Sequence, residues 1–212
     1  MDKIEQIKLA IEKAERRESN LTPLALSVPA LSSLNIRHLM NNLGAISTRY
    51  MEHGVHKGGL FCSTICNNPN LEVVTAVDNW ESDERNEDKA YPQFMENATM
   101  LKPLDTNLMV IKNNSFDVAP ELISGPIDLY LFDADHSEDS QYKALLHFLP
   151  AMADEFIWCV DDLDFPEVLA GTDRALKDAP VEILYEKRFK GNNHDNDQMW
   201  NGFGVFLLKK KT

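Results

Sequence analysis

Apolar positions along the 212-residue chain follow two alternating rhythms. Ile4, Ile7, Ala10, Ile11 and Ala14 recur at helical spacing among Lys, Glu and Arg, predicting an amphipathic helix over residues 3–17 that stops near Glu18-Ser19-Asn20. A loop containing Pro23 and Pro29 follows, then a second helical pattern over residues 34–46 through Leu34, Ile36, Leu39, Met40 and Leu43. From there short apolar runs take over. Residues 49–52, 73–78, 108–111, 127–132 and 156–160 each read as a strand, with helices through Leu60, Phe61, Thr64 and Ile65, over 89–101 and over 141–152. Strands and helices that alternate in this way predict an α/β fold built on a parallel, doubly wound sheet. The end of the chain differs: Val181–Tyr185 and Phe203–Leu208 are strands joined by a polar loop, Lys190 to Asn201, without helical periodicity, so they are expected to pair antiparallel. Residues 1–48 then form a helical lid or packing segment and residues 49–212 the sheet-bearing core, within one globular domain.

Two of the apolar runs end abruptly on acid. Ile127–Phe132 runs into Asp133-Ala134-Asp135-His136, and Phe156–Val160 into Asp161-Asp162-Leu163-Asp164. Ligands of open α/β sheets sit outside the carboxyl ends of the strands, so both acidic clusters are expected to face one crevice. Like charges gathered there repel unless a proton, a metal ion or a cationic ligand lies between them.

Composition narrows the choice of partner. The formal charge of −13, from 34 acidic and 21 basic residues, argues against a nucleic-acid backbone as ligand. No stretch approaches the ~18 consecutive apolar residues of a membrane span, and the first residues lack the basic and apolar regions of a signal peptide, so a soluble cytoplasmic protein is expected. Cys62, Cys66 and Cys159 lack the paired C-x-x-C spacing of a zinc site and read as buried reduced thiols. Oligomeric state leaves no trace in the pattern.

Between the first strand and the next helix lies Glu52-His53-Gly54-Val55-His56-Lys57-Gly58, an E-x-G-x-x-x-G pattern. Gly54 and Gly58 allow a tight turn and close approach of a ligand to the backbone, with free N–H groups at the helix start; a plain strand-to-helix turn has the same form. It is not the G-x-G-x-x-G of a dinucleotide-binding domain. Asp78 ends the second strand, where a carboxylate accepts two ribose hydroxyls, although strand-terminal Asp also caps turns. The charged stretch 80–88 reads as a solvated loop with Trp80 at the edge of a binding pocket. The loop 191–201 is long enough for a substrate-side flap, with Trp200 and Asn201 as contacts.

The E-x-G-x-x-x-G spacing resembles motif I of S-adenosylmethionine (SAM) dependent methyltransferases, and a parallel sheet closed by an antiparallel C-terminal pair is the seven-stranded, Rossmann-like architecture of their class I. The segment from Ile127 through Ser137, followed by Val160-Asp161-Asp162, looks like small-molecule O-methyltransferases of the group that includes macrocin O-methyltransferase and, more distantly, catechol O-methyltransferase. The resemblance runs from about residue 30 to residue 210. It implies a cofactor site of Glu52, Gly54, Gly58, Asp78 and Asp133, with Ser115 and Phe116 flanking the adenine ring. It implies Mg²⁺, or Mn²⁺, held by Asp133, Asp161 and Asp162, an acceptor that is a small hydroxylated molecule, and Asp135 or His136 as general base. Two other readings of the same acids stand beside it: a catalytically silent SAM-binding scaffold, and a metal-dependent D-x-D phosphatase, whose fold would open on the D-x-D strand instead of reaching it fourth.

Overall fold

A computed structural model describes residues 1–81, 90–192, 195 and 198–211. Its elements, in chain order, are helices α1 (Lys3–Glu15), α2 (Pro23–Ser27) and α3 (Leu34–Gly44), strand β1 (Arg49–His53), α4 (Gly59–Ile65), β2 (Val73–Asp78), α5 (Ala90–Leu101), β3 (Asn107–Lys112), β4 (Ile127–Phe132), α6 (Glu138–Phe148), β5 (Met152–Asp161), α7 (Pro166–Asp178), β6 (Val181–Phe189) and β7 (Phe203–Lys210). The strands form one seven-stranded sheet in the order β3-β2-β1-β4-β5-β7-β6. The first five are parallel, and β7 runs antiparallel between β5 and β6. The doubly wound, mostly parallel fold expected from the alternating pattern is the one observed.

Helices cover both faces. Ile7, Ile11, Ile36, Leu39, Leu60, Phe61 and Phe94 pack with Tyr50, Leu129, Leu131, Ile157 and Cys159 on one face. Ala144, Leu145, Phe148, Val168 and Ala175 pack with Tyr130, Phe132, Trp158 and Val160 on the other. Side chains therefore alternate along each strand between two apolar layers, which is why these strands are continuously hydrophobic. Each fully buried Leu, Ile or Phe contributes roughly 1.5–3 kcal/mol by leaving water. His53 is the exception in this layer. It is buried against Phe148, Tyr130 and Phe132, neither ring nitrogen has a hydrogen-bond partner, and burial pushes its pKa down to about 3.

Several helices start on side-chain caps that the sequence supplies. Asp2 accepts from the Glu5 N–H at 2.8 Å, Thr22 from Ala25 at 3.1 Å, Ser33 from Ile36 at 3.2 Å and Ser137 from Ser140 at 3.3 Å. The residues expected as one Pro-containing loop thus include a short helix, α2. Arg37 of α3 is buried and donates to the carbonyls of Ala25 and Leu26 and to the Ser63 hydroxyl. It ties the end of α2 to α4. α1 ends at Glu15, short of the expected boundary, because Arg17 adopts a left-handed φ of 55°.

Two differences from the pattern-based reading lie after β4. The helix expected over 141–152 begins at Glu138 and ends at Phe148, and β5 starts earlier, at Met152, with Asp154 and Glu155 exposed on it. Helix α7, which the apolar runs did not announce, buries Val168, Gly171, Thr172, Ala175 and Leu176 at helical spacing and packs closely on α6. A Cβ at Gly171 would lie 2.4 Å from the Glu138 carbonyl oxygen, so small residues hold the contact.

Candidate active site

The strand order reverses between β1 and β4, and the crevice opens at that switch point, outside the carboxyl ends of the parallel strands. It forms a cavity of about 730 Å³, within the ~300–1,000 Å³ range of small-molecule sites. Glu52, Gly54, Asp78, Ser115, Phe116, Asp133, Asp135, His136 and Asp162 all line it, as do Trp80, Trp200 and Asn201. Two nominated residues do not line it, Gly58 and Asp161. Of the stretch 80–88, residues 82–88 lie outside the described residues, as do 193, 194, 196 and 197 of the expected flap.

At the glycine end the backbone does most of the arranging. Gly54 has φ 85°, and a Cβ there would stand 1.8 Å from the Asp133 carbonyl oxygen, so glycine is required by the approach of β4 rather than by a ligand. Gly58, also at φ 85°, starts α4, and a Cβ there would meet Phe94 and Cys62. Asp78 accepts from the His56 N–H on one oxygen and from the Trp80 N–H on the other, each at 2.8 Å. The Trp80 indole in turn donates to the His56 carbonyl at 2.8 Å and packs on Tyr91 and Phe94. The carboxylate is fixed in direction while each oxygen keeps a lone pair for a hydroxyl. Phe116 lies near-parallel to Phe132 with centroids 6.0 Å apart, which leaves the ring shared between core and cavity wall.

Beneath them is Glu52. It is almost fully buried and accepts a hydrogen bond from the Tyr50 hydroxyl. Burial pushes its pKa well above the ordinary range, the nearby charges of Asp133 and Asp78 add to the rise, and Tyr50 opposes it.

The acidic end is built differently. The Nε2 of His136 stands 3.2 Å from Asp162 Oδ2 and 3.7 Å from Asp133 Oδ1. These three side chains bring one donor atom each to within 4.8 Å of one another. Asp162 reaches the cavity through a left-handed φ of 53°, and Asn201 donates to its Oδ1 at 2.8 Å. Asp161 is buried beside them, and its Oδ1 accepts the Asp162 N–H at 3.0 Å. Burial and the charges of Asp133 and Asp162 push the Asp161 pKa well above its usual range, and Asp133, also raised chiefly by burial, reaches about 6. His136 is raised by its contact with Asp133. The convergent set is thus Asp133, His136 and Asp162, where the sequence reading had grouped Asp133, Asp161 and Asp162.

Asp135 stands apart from that trio. Its Oδ2 accepts from the hydroxyls of Ser137, at 2.6 Å, and Ser140, and these bonds lower its pKa. It is held as an anion and is a weak base. Part of the remaining wall escaped sequence reasoning: Pro29, Ala30, Leu31 and Ser32, which lie between α2 and α3, and Phe165 at the start of α7. The described lining holds six acids, Glu52, Asp78, Glu81, Asp133, Asp135 and Asp162, and no Lys or Arg.

Residues 51–163, just over half the chain, match a family described as a methyltransferase domain. The chain belongs to this family. Among solved structures, this methyltransferase is similar to a cofactor-bound protein from MTB, at 16% identity and TM-score 0.64 over 97% of this chain and 90% of that one. It is similar to an O-methyltransferase from Bacillus cereus in complex with SAH, at 14% identity and TM-score 0.59 over 99% and 93% of the two chains. TomG, an O-methyltransferase from Streptomyces achromogenes in complex with SAM, gives 15% identity and TM-score 0.58 over 99% and 91%. At these identities the structural likeness speaks for the fold, which is that of class I, SAM-dependent methyltransferases. No curated protein gives a significant sequence match. No helix of the described residues is long and apolar enough to cross a membrane.

Proposed function

We propose that the cavity binds SAM at the glycine turn and transfers its methyl group to the hydroxyl of a small acceptor held at the acidic end. The observation that carries this reading is the continuity of the two ends: Gly54 and Asp133 are in backbone contact, so a cofactor lying along the turn presents its reactive end to Asp133, His136 and Asp162. The free lone pairs of Asp78 take the two ribose hydroxyls, and Phe116 and Trp80 flank the adenine. Among the described residues the lining carries acids and no Lys or Arg, which favours a sulfonium cation as ligand.

Asp133 and Asp162 fit a divalent cation, since their oxygens converge and Asn201 fixes the second carboxylate. Such an ion, when bound, acidifies a hydroxyl placed against it. Asp135 then serves as the proton's first acceptor: a weak base suffices for an already acidified hydroxyl, and its two serine partners keep the carboxylate in place. The acceptor oxygen forms the bond to the methyl carbon, the sulfur keeps the electron pair of the broken bond, and the proton passes through Asp135 to water. Pro29–Ser32, Phe165 and Trp200 wall the acceptor's side and limit it to a small molecule. We read residues 1–48 as the packing segment that sets this wall, and the three free, buried thiols as suited to a cytoplasmic setting.

A melting screen with SAM, SAH and NAD tests the cofactor assignment, because a ligand that binds only the folded state raises the midpoint. SAM and SAH should raise it and NAD should not. SAH release in the presence of hydroxylated acceptors tests turnover. A midpoint unmoved by SAM and SAH would overturn the proposal, and binding with no SAH release across sugars, phenols and polyketide alcohols would favour a silent SAM-binding protein.

A further inference from the structure

Within the methyl-transfer reading, and resting on its divalent-cation site, the identity of the ion is open to argument from the side chains themselves. We propose that His136 supplies a third protein ligand through Nε2 and that this makes the site one for a first-row transition ion such as Mn²⁺ in preference to Mg²⁺. Neighbouring ligands on one ion at right angles stand about 3 Å apart when each bond is ~2.1–2.2 Å long. The 3.2 Å and 3.7 Å separations of Nε2 from the two carboxylates, with all three donors inside 4.8 Å, are those of ligands gathered on one face of an ion.

The carboxylate expected as the third ligand is otherwise engaged. Asp161 lies outside the cavity lining, in the layer shared with Cys159 and Glu52, and one of its oxygens accepts the Asp162 amide. The β-strand alternation places Asp133 and Asp161 side by side on that face, and only the left-handed turn at Asp162 brings an acid from β5 round to the cavity. His136 fills the position that remains. Its ring is braced edge-on by Phe165, with centroids 5.7 Å apart, and Asn201 occupies Asp162 Oδ1 so that Oδ2 is the oxygen facing the imidazole.

Ligand chemistry then discriminates between ions. Mg²⁺ prefers oxygen donors and retains its waters, whereas an imidazole nitrogen suits the first-row transition ions, of which manganese binds most weakly and is the one most at home among carboxylates. Two carboxylate oxygens and one nitrogen, with water or acceptor oxygens elsewhere, suit the second group.

The test uses the full chain with MgCl₂ or MnCl₂ as the only added ligand, in wild type, His136→Ala and His136→Asp. His136 is partly exposed, so the metal-free variants should keep the wild-type circular dichroism spectrum and confirm an intact fold, with midpoints lowered by the loss of an imidazole, or the gain of an acid, beside Asp133 and Asp162. Calorimetry should show His136→Ala weakening Mn²⁺ binding on the order of ten-fold while moving Mg²⁺ little, and His136→Asp shifting the preference toward Mg²⁺. Electron spin-echo spectroscopy of the Mn²⁺-loaded wild type should show ¹⁴N modulation that His136→Ala removes. Equal losses for both ions, or no ¹⁴N modulation, would overturn the proposal while leaving the cation site standing. If neither salt shifts the wild-type midpoint, the cation site itself fails and the proposal with it; a SAM-induced shift in that same sample would leave the methyl-transfer reading intact.

Discussion

The two ends of the cavity treat a carboxylate in opposite ways. At Asp78 the chain meets both oxygens with backbone amides from His56 and Trp80, and the indole that shapes the turn is itself anchored. At the ends of β4 and β5, acids face acids: burial and the charge of Asp162 raise the proton affinity of Asp133, burial and the charges of Asp133 and Asp162 raise that of Asp161, and Asp133 and Asp162 share one imidazole. The difference is that one end is preorganised by backbone amides, whereas the other gathers carboxylates around a single imidazole. Fixed donors orient a ligand that arrives already charged, whereas crowded carboxylates store a repulsion that a cation relieves. The proposed cofactor site and the proposed reaction site divide along that line.

The largest expected effect breaks the preorganised end. Asp78→Ala removes the two hydrogen bonds proposed to the ribose and releases two backbone amides, so SAM affinity should fall by about 2–4 kcal/mol in a calorimetric titration. An unchanged affinity would take Asp78 out of the site.

Neutralising the crowded end should do the reverse and strengthen the unliganded fold. Asp133 has its pKa raised from the ordinary 3.8 to about 6, so the folded state holds its proton where the unfolded chain has lost it. Its contribution is complete below pH ~4 and disappears as pH rises through about 6. The repulsion it leaves at neutral pH is worth on the order of 1–2 kcal/mol after allowance for its partial exposure. Asp133→Asn should therefore raise the melting midpoint at pH 8 and give little gain at pH 4, and a gain that is equal at both values would deny the repulsion.

The smallest effect separates orientation from charge. Asn201→Ala frees Asp162 to rotate without altering the number of acids, and it should weaken Mn²⁺ binding about ten-fold while SAM affinity stays the same. Loss of SAM affinity in that variant would mean that the two ends are not separable.

The sheet was legible because five short runs pack on both faces, β3 only partly buried, which leaves unbroken apolar stretches in the sequence. Helix α7 was not, because three of its five buried positions are Gly171, Thr172 and Ala175, small residues that its contact with α6 demands, so the helical spacing is kept with few large hydrophobes to mark it. The start of β5 was hidden by Asp154 and Glu155, exposed near the strand's beginning. At the site, the acids could be read as a group facing one crevice, since strand ends fix their location. Which of them turns toward the cavity depends on one backbone dihedral at Asp162, and spacing carries no record of it. The same limit hid a second demand on Gly54, which lines the cavity as expected. Its missing side chain makes room for the Asp133 backbone, a contact 79 positions away in the chain.

The most direct test of the division is the position of bound SAH in a co-crystal with the wild-type chain. The account predicts the ribose on Asp78, the adenine between Trp80 and Phe116, and the sulfur turned toward the side chains of Asp133, His136 and Asp162. An SAH molecule with its ribose at the β4–β5 acids, or seated outside this cavity, would contradict it.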